Sequence, residues 1–118
     1  MAIVSNLTID QGTTFKADID VTDASGNALN LTGYTTAGQM RKSYASTTAT
    51  DFSASIPSPA SGGVVRIQLS ATQTEALKPG RYVYDVEIKK TSTSEVTRIV
   101  EGQIEVTPGV TKVAATNG

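Results

Sequence analysis

The sequence predicts an all-β sandwich of antiparallel strands, on three observations. Thr, Val and Ile number 18, 11 and 8 against 5 Leu; β-branched side chains lose freedom in helices and pack well on a pleated sheet. Four runs alternate apolar and polar residues with period two, as half-buried strands do. Turn residues separate these runs at short intervals. At 118 residues without a Cys, the chain has room for one core and no staples to help it.

The elements follow in order. Ile3–Ile9 is a short first strand carrying Leu7 and Ile9. In Thr14–Thr22, Phe15, Ala17, Ile19 and Val21 point one way and Lys16, Asp18 and Asp20 the other. Asp23-Ala24-Ser25-Gly26-Asn27 closes that strand, Gly and Asn tolerating positive φ. After the polar corner Asn30-Leu31-Thr32-Gly33 comes a third strand, Thr35–Lys42, bearing Ala37, Met40 and Arg41. Ser43–Gly63 is Ser/Thr/Ala-rich with Pro57 and Pro59, the mobile part of the domain, holding one weak strand, Thr50–Ser55, with Phe52. Val64–Leu69 faces inward through Val65, Ile67 and Leu69. Ser70/Gln73 and Thr72/Glu75 both have capping-box spacing and predict a helical turn over 70–77, stopped by Lys78-Pro79-Gly80. Arg81–Lys90 buries Tyr82, Tyr84, Val86 and Ile88. A hairpin at Thr91–Glu95 leads to Thr97–Val106, with Arg98, Val100, Gly102, Ile104 and Val106 on one face; the alternation weakens at Ile99, the mark of a bulge or of a second covered face.

Seven strands so spaced specify a seven-stranded immunoglobulin-like antiparallel sandwich over residues 1–107 with one short helical turn, followed by an extended arm over 108–118. Leu77-Lys78-Pro79-Gly80-Arg81-Tyr82-Val83-Tyr84 sharpens this. A Tyr two residues after a Gly, opening the sixth strand, is the position of a tyrosine corner, so Leu77, Gly80, Tyr82 and Tyr84 form the expected structural corner. The chain has no Trp, so it is not an antibody-type domain.

Composition excludes much chemistry. No Cys and no His are present, which removes thiol nucleophiles, disulfides, Cys/His zinc sites and imidazole bases. Ten Lys+Arg against 11 Asp+Glu give a net charge of -1, with no basic arm, so nucleic acid is not the expected partner. No signal peptide is legible at the start and no apolar run reaches the ~20 residues of a membrane helix. The expectation is a soluble chain made in the cytosol, without a membrane partner.

The remaining constellations are weak. Asp18, Asp20 and Asp23 with Gly26 imitate a calcium loop, but Thr22 and Leu29 stand at ligand positions, and Asp18 and Asp20 lie on the outer face of a strand. Asp85, Glu87, Glu101 and Glu105 could pair as catalytic carboxylates, yet nothing predicts a cleft, and Arg81, Lys89, Lys90 and Arg98 are available as cross-strand partners. The glycines never form a phosphate loop before a helix. Asn6-Leu7-Thr8 and Asn30-Leu31-Thr32 match the glycosylation sequon by chance. Arg41-Lys42-Ser43-Tyr44 is a small basic-aromatic group at a strand end. The expectation is a chain that is not an enzyme, with no catalytic, cofactor-binding or metal-ligating residues and no cofactor.

One set of residues reaches further: Gly12-Thr13-Thr14-Phe15; Asp23 with Gly26; Leu31-Thr32-Gly33; Gly63-Val64-Val65; Leu69-Ser70, Thr74, Leu77, Gly80, Tyr82 and Tyr84-Asp85; then Arg98, Gly102, Ile104, Val106 and Pro108. Over roughly residues 8 to 111 this pattern resembles the immunoglobulin-like structural module of tailed bacteriophages, found at the N-terminus of upper baseplate and tail-fibre proteins and in small stand-alone virion proteins. The resemblance implies a non-catalytic docking or adaptor module in the tail, baseplate or fibre-attachment region. It would be made in the bacterial host cytoplasm, built into the virion, and partnered by other virion proteins in many copies of a symmetric assembly. In upper baseplate proteins a stalk follows the module; here the chain stops, which favours a separately encoded subunit. A capsid decoration protein is the close alternative and a module binding host-surface carbohydrate the distant one. Pro108 cannot donate to a sheet ladder, so Pro108, Val110, Lys112 and Val113 are the candidate docking arm.

Overall fold

A computed structural model of the chain describes residues 3–110. Among the described residues nine strands, one 3-10 helix and one α-helix follow in the order β1 (Ile3–Val4), β2 (Leu7–Asp10), β3 (Phe15–Asp20), β4 (Tyr34–Arg41), β5 (Thr50–Asp51), β6 (Ser53–Ser55), the 3-10 helix (Ala60–Gly62), β7 (Val64–Leu69), α1 (Ala71–Glu75), β8 (Gly80–Lys90) and β9 (Glu95–Thr107). They form two sheets: β1-β9-β8-β4-β5, with β2 also on β9, and β3-β7-β6. This is an immunoglobulin-like β-sandwich, all-β as the alternation required.

The two inner faces meet in one core. Phe15, Val65, Ile67 and Leu69 come from the smaller sheet, and Met40, Tyr84, Val86, Ile88, Ile104 and Val106 from the larger. Phe52 joins them at 6.2 Å from Phe15 and, edge-on at 84°, 6.2 Å from Tyr84. Ala37, on the outer face of β4, is exposed.

Three details of the strands depart from the sequence-based expectation. The first strand is parallel, not antiparallel, to its neighbour: β1 and β2 both lie along β9, Ile3 opposite Val100 and Asp10 opposite Thr107. The expected strand at 50–55 is two strands in two sheets. β5 pairs with β4 and β6 with β7, and the chain crosses between sheets at Phe52, whose N–H donates to the Gly38 carbonyl at 2.9 Å. The bulge in β9 is real and sits at Ile99. Val86 pairs with Val100 and Glu87 with Arg98, so Ile99 is the extra residue. Ile99 and Val100 are both buried and Arg98 is exposed, reversing the face assigned to Arg98, because an extra residue shifts the period of the pleat.

The helix forms with one capping box rather than two. Ser70 caps it, its side chain accepting from the Gln73 N–H while the Gln73 side chain accepts from the Ser70 N–H. Glu75 makes no such bond with Thr72; among the described residues both its carboxylate oxygens are buried without a hydrogen-bond partner. Thr72 is inside the helix, where its own N–H is already past the cap position. Thr74 fastens the helix to the sandwich: fully buried, its hydroxyl donates to the Thr13 carbonyl at 2.7 Å and accepts from the Gly12 N–H at 3.0 Å.

Candidate functional site

The corner is built where α1 turns into β8. Leu77 is buried and ends the helix against the core. Gly80 follows at φ 140°, a backbone state that side chains rarely adopt. Two residues on, the Tyr82 hydroxyl donates to the Lys78 carbonyl at 2.8 Å, the bond by which a tyrosine corner holds its crossover. Tyr84 lies one pleat further along the same face. Its hydroxyl donates to the Ser5 carbonyl at 2.6 Å, tying β8 to the break between β1 and β2. The sequence placed Tyr84 in the core but carried no sign of that partner, 79 residues away.

Gly102 leaves the room in which the chain makes that break. Leu7 pairs with Ile104 in the same register by which Val4 pairs with Glu101, so the strand resumes after Ser5 and Asn6 without slipping. Between them the chain passes directly over Gly102, where a Cβ would fall on the Ser5 carbonyl oxygen. The Ser5 N–H donates to the Glu101 carbonyl at 2.9 Å, and the Asn6 Oδ1 accepts from the Gln103 N–H at 3.0 Å.

Burial pushes the Tyr84 phenol above the ordinary tyrosine value. The folded chain therefore holds this proton when the unfolded chain has begun to lose it. Stability from Tyr84 is whole below about pH 10 and is lost as pH rises above it. Urea melts between about pH 9 and 11 should show a smaller alkaline loss for Tyr84→Phe than for the parent; equal losses would place the titrating group elsewhere.

The other end of β9 frames the exit of the chain. The Gln11 side chain donates to the Leu77 carbonyl at 2.9 Å and accepts from the Gly109 N–H at 3.0 Å, so helix, first strand and exit share one amide. Pro108 is exposed and Val110 is 96% exposed. Of the candidate arm, Lys112 and Val113 lie outside the described residues.

Asp18, Asp23, Asp85 and Glu101 are engaged in ordinary structure. Asp18 takes the Arg66 guanidinium through both oxygens, at 2.7 and 3.1 Å, and that hydrogen bonding holds its carboxyl below the usual range. The Asp23 Oδ1 caps its own turn, accepting from the N–H groups of Ser25 and Asn27. Asp85 stands opposite Glu101 across β8 and β9, with Arg98 bridging them at 3.3 and 3.4 Å. Among the described residues no cluster of acids is placed to hold a metal ion, and no helix is long and apolar enough to cross a membrane.

No protein-family model and no curated protein matches the sequence. Among solved structures the chain is similar to Listeria monocytogenes InlP, at 16% identity and a TM-score of 0.48; the match covers 87% of this chain and 26% of that one.

Proposed function

We propose that the chain is a non-catalytic docking module of a bacteriophage virion, acting as an adaptor in the tail, baseplate or fibre-attachment region. The resemblance set out from Gly12 to Pro108 supplies the class. The observation that carries the docking role is the direction of the two chain ends. β1 and β2 run parallel to β9, so the chain enters beside Val100 and leaves beside Asp10. The two points lie roughly 25 Å apart along one sheet edge, at about 3.3 Å per residue. A domain strung this way sits in line between neighbours, and Val110 leaves it with its side chain in solvent. An exposed apolar residue on the segment that leaves a strand is suited to strand addition on a neighbouring subunit.

Capsid decoration uses the same geometry on the shell and remains the second reading. Carbohydrate binding would rest on Tyr44, 84% exposed, because Phe15, Phe52, Tyr82 and Tyr84 are buried in the core and Tyr34 packs against it. Electron micrographs of virions labelled with an antibody against the chain test the assignment. Label on the tail supports it, label over the head supports decoration, and unlabelled particles overturn both.

The arm has its own test. Val110→Ser should shift the melting temperature by less than about 2 °C, since Val110 buries almost nothing. The same substitution should lower retention on particles. Undiminished assembly of this variant would remove Val110 from the docking role.

A further inference from the structure

The corner end of the sandwich gathers positive charge around one groove. β4 ends at Arg41, and Lys42 lies over the Tyr82 ring with its Nζ 4.8 Å from the ring centroid. Lys78 borders the same groove, its carbonyl accepting from the Tyr82 hydroxyl. With Thr48 and Thr50 these residues line a groove of about 420 Å³ in which no carboxylate takes part. Outside this groove Arg66 pairs with Asp18, Arg98 with Asp85 and Glu101, and Arg81 and Lys90 stand opposite Glu105 and Glu95, whereas Lys16 and Lys89 stand opposite Gln68 and Val96. Among the described residues Lys42 and Lys78 enter no ion pair.

Gly80 adjoins the Lys42 ammonium group. A Cβ at residue 80 would come within 2.6 Å of the Lys42 Nζ, so Gly80 leaves the space that Lys42 occupies. The face of Tyr82 attracts the cation and holds it at the wall of the groove, which lowers the ordering cost of binding.

We propose that this groove is an oxyanion site that takes a phosphate group, with Lys42 and Lys78 supplying the charge and Thr48 and Thr50 the neutral donors. The choice of phosphate follows from the donors. Lysine is a point charge with three donors and suits a tetrahedral group that presents oxygens in several directions. The planar fork that would grip a carboxylate in two places belongs to Arg41, and two of its N–H groups are already engaged: Nη1 donates to the Ser46 carbonyl at 2.7 Å and Nη2 to the Gln39 Oε1 at 3.1 Å. The site stands independently of the virion assignment.

The test is a titration of the isotope-labelled full chain with inorganic phosphate, followed by NMR. Acetate and sodium chloride at matched ionic strength form the parallel arms, because exposed charges respond to salt in general. Phosphate should move the side-chain resonances of Lys42 and Lys78 and the ring resonances of Tyr82 saturably. Lys42→Gln and Lys78→Gln should each weaken the phosphate response about fivefold, the loss of one charge-assisted contact, with unchanged melting temperatures to show that the fold is intact. Acetate binding as tightly as phosphate would overturn the phosphate assignment. Equal, unsaturating shifts with chloride, shifts at other residues, or a phosphate response that survives both substitutions would overturn the site.

Discussion

Replacing Tyr82 by Ala is expected to cost about 3–5 kcal/mol of stability, the range of large aromatic truncations in a core. The side chain is 9% exposed, and its ring is both a wall of the core and the seat of Lys42. Tyr82→Phe keeps the ring and removes only the bond to the Lys78 carbonyl, so it should cost about 1 kcal/mol. The gap between the two variants separates packing from the corner bond. Urea melts of both decide it: small and equal losses would mean that the ring contributes no packing and that the corner is not where β8 is anchored.

Gly102→Ala should cost about 2–3 kcal/mol, a backbone collision in a packed region rather than a lost contact. The added methyl group meets the Ser5 carbonyl, which is main chain and cannot swing aside as a side-chain tip would. Moving Ser5 also breaks its bond from Tyr84 and disturbs the Asn6 bond to Gln103. The two sites are therefore coupled. Tyr84→Phe should cost about 1 kcal/mol in the parent chain and close to nothing when Gly102 is already Ala, because the carbonyl it served has moved. A double-mutant cycle measures this. Additive losses would show that Ser5 stays in place and that the strain is relieved through β9 instead.

Much of this molecule is written in local pattern. Val65, Ile67 and Leu69, or Tyr82, Tyr84, Val86 and Ile88, announce their strands and buried faces because a pleated chain puts every second side chain on one side. Ser70 with Gln73 announces a helix start, and Gly80-Arg81-Tyr82 a corner, because those devices are closed within a few residues. Even the bulge at Ile99 left a trace as a break in the alternation. Other features depended on residues far apart in the chain. Alternation is the same in parallel and antiparallel strands, so the pairing of β1 and β2 with β9 could not be read from Leu7 and Ile9. Phe52 gave no sign that the chain changes sheets there, since the strand on either side is too short to show a period. Gly102 read as one more inward position, and only the passage of Ser5 over it explains why a side chain is excluded. Lys42 and Lys78, 36 positions apart in the sequence, became one groove when β4 and β8 paired. Local periodicity determined the long strands and most of their faces, and composition the absence of Cys or His chemistry; the tertiary structure alone decided which edges meet and which charges share a surface, because those depend on how strands distant in sequence come together.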